Sequence, residues 1–361
     1  MGKLRSIWRY LGELRRALRQ SPRALRDGGA SIPRQLCELL LLRAGPGKLT
    51  PEDYYLMRVY RRGLSLAEKS KYISTPTMGA IARDRRWDLV AHDKLLTYGV
   101  LLGHGIRVPE ILAVVHATRA FGNRPTLQSP AELEAYLTGQ APYPFFSKPV
   151  LGIYSKGSML VEALDSARSS LLLGDGSSIC LKDYVQQSFK RKSGYLIQEL
   201  LHPHPEIAAL VGDRVCTVRM MVLFDDGGPR LYRALWKIAA LENIADNYWR
   251  KGNILCLLDN EDGTVRHCTT GLGPELREID RHPATNAHLP GFAIPQWEEL
   301  RHLTLRAART MPVQAWDIAP TSKGPMVLEV NVFGSLFLPQ VAEQSGLYQG
   351  EFCAFMEAHR R

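Results

Sequence analysis

Three oxygen-bearing side chains near the C-terminus have the types and spacing of a divalent-metal site. Asp317 lies in the run 315–319, and Glu329 and Asn331 follow it in the run 326–332. Because side chains alternate between the faces of a strand, Glu329 and Asn331 share one face, and a hairpin would bring Asp317 beside them. Mg²⁺ prefers oxygen ligands and is usually held by one or two carboxylates plus substrate phosphates. The hairpin therefore predicts a Mg²⁺ site, and the alternative is a half-exposed sheet with polar residues on one face.

A second candidate is a lysine at a strand end followed by a glycine-rich turn. Lys148 precedes the stretch 152–158, which contains Lys156. Ammonium groups and the backbone N–H groups of such a turn can bind phosphate oxygens. The stretch is not a Walker A motif, because Ser158 stands where that motif requires lysine. It predicts phosphate binding, although glycine and lysine are also common in ordinary β-turns.

Histidines and cysteines offer weaker signals. His202 and His204 alternate with prolines and have no third ligand nearby, so we predict solvated loop histidines and not a zinc-binding pair. Cys216 alternates with apolar residues in a predicted strand, and we interpret it as a buried thiol and not as a nucleophile. The six cysteines include no C-x-x-C pair. We therefore expect neither a zinc ribbon nor a disulfide framework, and a reducing, intracellular compartment fits this usage.

The elements that must position these residues are a mixture of helices and strands. Thr50 and Pro51 have the chemistry of a helix start, as N-cap and first helical residue, and helical patterns continue to about residue 102. Short β-branched or aromatic runs follow, and residues 225–229 have the composition of a hairpin turn. Strands are predicted at 114–115, 143–149, 151–154, 158–161, 195–200, 216–224, 231–240, 254–258, 313–319 and 326–332. The strands after 215 resemble an antiparallel sheet and not a βαβ repeat.

Length and composition exclude several protein classes. A chain of 361 residues with 45% hydrophobic and 23% charged residues can bury a sizeable core, so disorder, collagen and coiled coil are excluded. No stretch reaches the roughly 18 to 20 apolar residues that a membrane-spanning helix needs.

The net charge of +10 is concentrated at the N-terminus. Residues 1–35 hold nine basic and two acidic side chains and carry +7, so the other 326 residues carry +3. A basic arm on a nearly neutral body gives little support to nucleic-acid binding. One stripe of a predicted amphipathic helix contains Leu4, Ile7, Trp8, Leu11, Leu14 and Leu18. We expect this stripe to dock on the body of the protein, with an anionic membrane or a partner protein as the alternative.

Taken in order, these segments resemble the ATP-grasp superfamily and, within it, the sugar-transfer-associated ATP-grasp proteins. The resemblance runs from about Lys48 to about Leu338. The segments that carry it are 92–94, 105–109, 148–158, 198–201, 217–219, Asp246 and Asn247, Gly252 and Asn253, Asp259, Asp317 and 329–331. The resemblance implies an α+β ATP-grasp fold in which two α+β lobes clamp a nucleotide, with a helical N-terminal extension. The corresponding divisions are a basic helical arm at 1–46, a mainly helical region at 47–125, a small lobe at 126–200 and a large lobe at 201–361.

The resemblance also implies roles for individual positions. It assigns phosphate contacts to Lys94, Lys148, Lys156, Gly157 and Ser158. It assigns adenine contacts to Glu199 and Leu201, and ribose contacts to Glu206. Arg219 and Lys237 would contact the transferred phosphoryl group or acyl phosphate, and Asp317, Glu329 and Asn331 would hold one or two Mg²⁺ ions. Trp249 and Arg250 depart from the family pattern, so the acceptor side of the site is not carried over.

The activity implied is ATP-dependent ligation of a small-molecule carboxylate to an amine or related nucleophile through an acyl phosphate, linked to polysaccharide or glycoconjugate biosynthesis. We expect a cytoplasmic protein, with peripheral contact at the inner face of the membrane or with glycan enzymes through residues 1–35 as an additional hypothesis. The alternative function is a nucleotide-binding, membrane-associated scaffolding protein of a glycan-assembly system, without turnover. The sequence does not identify the acid, the nucleophile or the oligomeric state.

Overall fold

The computed structural model describes residues 12, 14–15, 18–74, 77, 87–152, 155–240, 243, 245–332 and 336–359. The helices are α1 (Ser21–Arg26), α2 (Ile32–Ala44), α3 (Pro51–Leu56), α4 (Leu66–Lys69), α5 (Asp88–His92), α6 (Lys94–Gly103), α7 (Pro130–Gly139), α8 (Leu181–Lys190), α9 (Pro205–Val211), α10 (Trp297–Thr310), α11 (Phe337–Glu343) and α12 (Gly350–Ala358). The strands are β1 (Ile111–Val115), β2 (Thr126–Leu127), β3 (Phe145–Pro149), β4 (Met159–Asp165), β5 (Ser170–Leu173), β6 (Ser178–Cys180), β7 (Tyr195–Glu199), β8 (Thr217–Asp225), β9 (Gly228–Ile238), β10 (Ile254–Leu258), β11 (Val265–Thr270), β12 (Arg277–Ile279), β13 (Ala315–Ala319) and β14 (Met326–Asn331).

The first of two sheets, the N-terminal sheet, has seven strands in the order β2-β1-β7-β3-β4-β5-β6. Its pairings are antiparallel except for the parallel pair of β1 and β2. Strand β1 lies within the range 47–125 that the sequence predicts as mainly helical, and it pairs with β7 of the predicted small lobe. Helices α7 and α8 cover one face, where Leu133, Tyr184 and Val185 pack against Phe145 and Ile197.

The second sheet, the C-terminal sheet, has seven strands in the order β12-β11-β10-β9-β8-β13-β14, and every pairing is antiparallel. The predicted antiparallel arrangement is therefore confirmed. The predicted turn after β8 is also present, since Asp225 pairs with Gly228 across two turn residues. Gly228 has a φ of +103°, a conformation that glycine adopts without steric cost.

Alternation along the C-terminal sheet separates a core face from a face that carries polar residues. Val218, Trp236 and Trp316 belong to the main core with α10, and Trp236 stacks on Phe292 at a ring separation of 5.7 Å. On the opposite face, Leu235 belongs to a second apolar cluster with α11 and the N-terminal helices. The polar side chains of β8, β9 and β13 lie on that same opposite face, because side chains alternate along each strand.

The N-terminal helices are fixed to the body by a buried ionic centre. Glu38 of α2 accepts hydrogen bonds from Lys69 Nζ at 2.6 Å and from Tyr54 Oη at 2.7 Å. Both partners are fully buried, and Arg34 pairs with the same carboxylate at 3.1 Å. Leu14 packs partly against the same apolar cluster. A rigid contact therefore holds α2 against α3 and α4.

One predicted strand does not form, and most of the predicted amphipathic stripe cannot be compared with the structure. No strand forms at the described part of 151–154: Leu151 makes one isolated bridge to Asp93, because β3 ends at Pro149, which has no N–H with which to continue the ladder. Leu4, Ile7, Trp8 and Leu11 of the predicted amphipathic stripe lie outside the described residues. No helix within the described ranges is both long and apolar enough to cross a bilayer.

The sequence predicts no disulfide framework, but one pair of cysteines is joined. Cys256 and Cys268 form a disulfide between β10 and β11, where they are direct cross-strand partners with Cα atoms 4.0 Å apart. Their spacing in sequence gives no sign of this register, since pairing is set by the turn between the strands. Cys216 is buried as predicted, and burial raises the pKa of its thiol to about 12.

Candidate active site

A cavity of about 710 Å³ lies between the two sheets and collects most of the residues singled out from the sequence. One wall comes from α6, β3 and the loop after it, and the opposite wall comes from β8, β9, β13 and β14. The predicted site residues that line it are Lys94, Lys148, Lys156, Ser158, Glu199, Leu201, Arg219, Lys237, Asp317, Glu329 and Asn331. Gly157 and Glu206 are not among the lining residues.

The floor of the cavity is a connected network of four charged side chains. Arg219 donates from Nε and Nη2 to the two carboxylate oxygens of Asp317, each at 2.7 Å. Lys237 Nζ lies 3.2 Å from Asp317 Oδ2 and 3.5 Å from Asp246 Oδ1. Asp246 in turn accepts hydrogen bonds from the backbone N–H and hydroxyl of Thr217. Two cations and two anions therefore balance each other at the base of the site.

Strand register creates this network. Asp317 pairs with Arg219 across the β13–β8 ladder and with Glu329 across the β13–β14 ladder. Thr217 and Lys237 are partners across β8 and β9. Burial opposes ionisation of Asp317, but Arg219 and Lys237 outweigh it and hold the pKa of this carboxyl below its usual range. Asp317 is therefore a carboxylate whose charge is already compensated by protein cations.

Glu329 and Asn331 provide the less committed oxygens of the predicted metal site. Both line the cavity, and neither side chain has a hydrogen-bond or ion-pair partner among the described residues. A carboxylate has about four lone-pair positions, so Asp317 can still offer one beside its two cationic partners. This donor set fits Mg²⁺, which needs one or two protein carboxylates and takes its remaining ligands from phosphates and water. The residues that would hold the ion are Glu329 and Asn331, with Asp317 as a further ligand.

Lys148 faces this carboxylate group from the other sheet. Its Nζ donates to Tyr98 Oη at 2.9 Å, and Tyr98 Oη donates to the carbonyl of Leu328 on β14 at 3.1 Å. Burial and the positive charge of Lys94 lower the pKa of Lys148 to about 7, and Glu329 partly opposes this effect. Tyr98 therefore joins the lysine of one sheet to the metal-ligand strand of the other.

The Lys94 side chain is positioned by a well-capped helix start. Asp93 accepts hydrogen bonds from the backbone N–H groups of Leu95 and Leu96, at 3.1 and 3.2 Å, and its side chain also pairs with Arg119. Lys94 begins α6, and its Nζ donates to the carbonyl of Gly152 at 3.2 Å. This contact places a second ammonium group beside the glycine-rich loop.

The glycine-rich loop follows β3 and brings Lys156 to the cavity. Gly157 has a φ of +82°, and a Cβ there would lie 3.0 Å from both Arg191 Nη2 and Tyr195 Oη. A larger residue at 157 would therefore be strained in the loop. The structure gives Gly157 a conformational role, and a direct phosphate contact from this residue stays a prediction.

The predicted adenine contacts lie at the end of β7, a strand of the N-terminal sheet: Glu199 is its last residue and Leu201 follows it. Glu199 is held by the backbone N–H of Glu110 at 3.0 Å and by Lys323 of the β13–β14 turn. Gln198 also lines the cavity, and its buried Oε1 has no hydrogen-bond partner among the described residues. The backbone N–H of Glu199 also donates to the carbonyl of Glu110 at 3.0 Å. The carboxylate and the N–H of Glu199 are therefore occupied by protein groups, and the side chain of Gln198 is the more available polar group for a base.

Glu206, the predicted ribose contact, is not among the residues that line the cavity. Glu206 is exposed in the first turn of α9, where its carboxylate is 3.9 Å from His204 Nδ1. Asp213 lines the cavity instead and pairs with His202 at 3.3 Å. A ribose contact from Glu206 stays a prediction, and Asp213 is the carboxylate that the cavity presents in this region. The described residues hold no group of three or more metal-ligating His, Cys, Asp or Glu side chains, so His202 and His204 gain no third ligand.

The far end of the cavity has acidic and aromatic walls. Trp249 is 43% exposed and stacks on Phe337 at a ring separation of 4.7 Å. Glu52 and Leu56 of α3 also line this end. Asn253 holds the preceding loop by donating to the carbonyls of residues 245 and 247. Trp249, which departs from the family pattern, therefore forms part of the cavity wall together with Phe337.

Sequence reasoning did not identify Tyr98, Glu52 and Leu56 as site residues. Tyr98 follows Lys94 by four residues, a spacing that puts both side chains on one face of a helix, so this signal was present in the sequence. Glu52 and Leu56 carry no such signal, because their place at the cavity depends on how α3 packs against the C-terminal sheet.

Lys148 gives a testable pH dependence. Above pH 7 this lysine is mostly neutral in the ligand-free protein, and phosphate groups would favour its charged form, so nucleotide binding at pH 8 is expected to take up close to one proton. Nucleotide affinity is then expected to fall by up to about tenfold per pH unit above 7. Calorimetric titration with ADP in buffers of different ionisation enthalpy measures this uptake.

Lys148→Arg is the matched control for that titration. Arginine keeps its proton throughout this pH range, so the variant should bind ADP without proton uptake. An equal uptake by Lys148→Arg would assign the titration to another group.

Comparison with known proteins places this geometry in context. A family model described as sugar-transfer associated ATP-grasp matches residues 81–353. No curated protein matches the chain by sequence. The chain is similar in structure to the ATP-grasp ligase PsnB complexed with a minimal precursor, with 16% identity and a TM-score of 0.41 over 77% of this chain and 64% of that one.

Two further solved structures show comparable similarity. For D-alanyl-alanine synthetase A from Vibrio cholerae the identity is 12% and the TM-score 0.41, over 74% of this chain and 64% of that one. For an L-amino acid ligase from Bacillus licheniformis the identity is 12% and the TM-score 0.38, over 70% of this chain and 43% of that one. The chain thus spans less than two thirds of the length of each of these structures.

Proposed function

Because this chain belongs to the sugar-transfer associated ATP-grasp family, we propose that it is an ATP-dependent ligase that joins a carboxylate to an amine through an acyl phosphate. The observation that carries the proposal is the placement of Lys94, Lys148 and Lys156 on one wall of a cavity whose other wall holds Glu329 and Asn331. Groups that could bind a triphosphate thus face groups that could bind a metal ion across the cavity.

The reaction follows from the chemistry of carboxylates. A carboxylate is a poor acyl donor because its leaving group would be oxide. Its oxygen attacks the γ-phosphorus of ATP, the bond to the bridging oxygen breaks and ADP leaves, which gives an acyl phosphate. The amine nitrogen then attacks the acyl carbon, inorganic phosphate leaves, and the amine loses a proton. Catalysis of phosphoryl transfer is mainly positioning and charge neutralisation.

The residues of the cavity suit these two tasks. Lys94, Lys148 and Lys156 would neutralise the phosphates, and bound Mg²⁺ would add positive charge where the phosphoryl group is transferred. Arg219 uses the N–H of Nε and one N–H of Nη2 for Asp317, so the N–H groups of Nη1 and the second N–H of Nη2 are left for a phosphoryl oxygen. Lys237 is held by two carboxylates at the floor and would act mainly by fixing Asp317 and Asp246.

Turnover of ATP in the presence of substrate pools tests the proposal. Purified protein with ATP and Mg²⁺ is incubated with pools of amino acids and uronic acids, and mass spectrometry detects coupled products while ADP release is measured. Hydroxylamine in place of the amine should trap the activated acid as a hydroxamate, which separates the two half-reactions. We expect ADP release to require an acid from one pool.

The scaffolding alternative predicts a different result. Nucleotide would bind, but no pool would produce ADP, coupled product or hydroxamate. That outcome would contradict the ligase and favour a protein that uses nucleotide as a structural ligand.

A further inference from the structure

The outer face of α2 is unusually apolar for a surface helix. Its exposed positions recur every three or four residues and therefore share one side of the helix. These residues, named here the α2 face, are Pro33, Cys37, Leu40, Leu41 and Ala44. Leu40 is 62% exposed and Leu41 57% exposed, whereas Leu39 and Leu42 on the inner side are buried. The helix thus has apolar residues on both sides, and among the described residues only its inner side is covered by the protein.

Within residues 18–48, the charged side chains turned outward are basic. Exposed arginines are present on the preceding helix and on α2 itself, at Arg23, Arg26 and Arg34. Between residues 18 and 48 the two carboxylates are Asp27 and Glu38, and both are turned towards protein partners. Asp27 pairs with Arg58 at 2.8 Å, and Glu38 is buried against Lys69.

We propose that the α2 face, together with the arginines of α1, docks on an anionic lipid surface. Leucine side chains that enter the interface gain free energy by leaving water, and guanidinium groups beside them are attracted to anionic headgroups. The absence of an outward carboxylate from the described segment 18–48 removes the repulsion that such a surface would otherwise meet.

This surface is separate from the candidate active site. No residue of α1 or α2 is among those that line the cavity. Both helices also lie before residue 81, outside the segment that matches the family. The inference therefore stands independently of the proposed ligase activity, and a variant of the α2 face should leave nucleotide binding unchanged.

Vesicle sedimentation with the full chain tests the inference. The probes are vesicles of phosphatidylcholine alone and of phosphatidylcholine with about 30% phosphatidylglycerol, at low and physiological salt. The protein is expected to bind the anionic vesicles and to bind them less at the higher salt, because exposed charges are screened. Failure to bind anionic vesicles at low salt would overturn the inference.

Two variants separate the apolar from the ionic contribution. Leu40→Gln/Leu41→Gln should weaken binding by at least about tenfold, because two exposed leucines no longer enter the interface. Arg23→Gln/Arg26→Gln should weaken binding to anionic vesicles by about fivefold per arginine. The matched control is Leu102→Gln/Leu172→Gln, which replaces leucines that are 49% and 39% exposed on the body and should bind as the parent does. Equal binding by the parent and Leu40→Gln/Leu41→Gln would contradict the inference.

Other occupants of the α2 face give distinct results. If the chain forms a dimer without vesicles and Leu40→Gln/Leu41→Gln makes it monomeric, a second copy covers the face and the inference is wrong. If Ile7→Gln/Trp8→Gln abolishes vesicle binding while Leu40→Gln/Leu41→Gln does not, the membrane contact belongs to the segment that precedes α1, which also overturns the inference. Thermal unfolding of each variant confirms that the fold is intact.

Discussion

Alanine at Glu329 is expected to reduce ATP turnover by at least about 10²- to 10³-fold and to leave the fold intact. Of the two carboxylates in the predicted metal site, Glu329 has no ion-pair partner among the described residues, whereas Asp317 is compensated by Arg219 and Lys237. Its removal takes away the negative charge that can be given wholly to a metal ion. It also removes a charge that acts on Lys148 across the cavity.

The measurement is ADP release by the purified variant, with thermal unfolding to show that the fold persists. Glu134→Ala is the matched control, since it removes an exposed carboxylate from α7, remote from the cavity lining, and should retain turnover within about twofold. Turnover by Glu329→Ala at the parent's rate would show that the metal assignment is wrong. Because ATP turnover itself is a proposal for this chain, the comparison uses the conditions in which the parent releases ADP.

Alanine at Arg219 is expected to lower the free energy of unfolding by about 3 to 5 kcal/mol. Arg219 makes a two-point contact with Asp317, and the two side chains are 13% and 5% exposed. Without the guanidinium, the Asp317 carboxylate would remain buried with Lys237 as its remaining cationic partner. The cost arises from a charge left without its main partner, and not from the loss of packing.

Urea unfolding of Arg219→Ala, Asp317→Ala and the double variant measures this effect. The double variant should lose less stability than the sum of the two single variants, because the second substitution removes the charge that the first left unpaired. Arg230→Ala is the control: Arg230 pairs with Asp225 and Glu351 at the surface, and its loss should cost no more than about 1 kcal/mol. Equal losses for Arg219→Ala and Arg230→Ala would contradict a buried ionic network.

Much of the fold follows from local patterns in the sequence. Side-chain alternation and turn composition predicted five of the seven strands of the C-terminal sheet, and β10 begins and ends at the predicted residues 254 and 258. Strands β11 and β12 were not predicted. The same alternation put Asp317, Glu329 and Asn331 within reach of one another, and the register of β13 and β14 confirms that Asp317 and Glu329 are cross-strand partners. The resemblance to the ATP-grasp family is confirmed by the match over residues 81–353. These features could be predicted because they depend on neighbours along the chain or on one short hairpin.

Contacts between elements distant in sequence were decided by the tertiary structure alone. The contact of Tyr98 with Leu328 and the pairing of Cys256 with Cys268 depend on how separate strands and helices align. So do the place of Glu52 at the cavity and the position of Glu206 outside it.

The sequence by itself determined which residue types could bind phosphate and a divalent ion, and on which face of a strand each would lie. The tertiary structure decided which of them are already neutralised by protein charges, as Asp317 is, and which remain available, as Glu329 is. The same holds for α2. Its leucines are distributed around the helix, and packing against the rest of the protein decides which of them are buried and which are exposed. Alternation is a local property of the backbone, whereas burial and charge compensation depend on the side chains that other segments bring into contact.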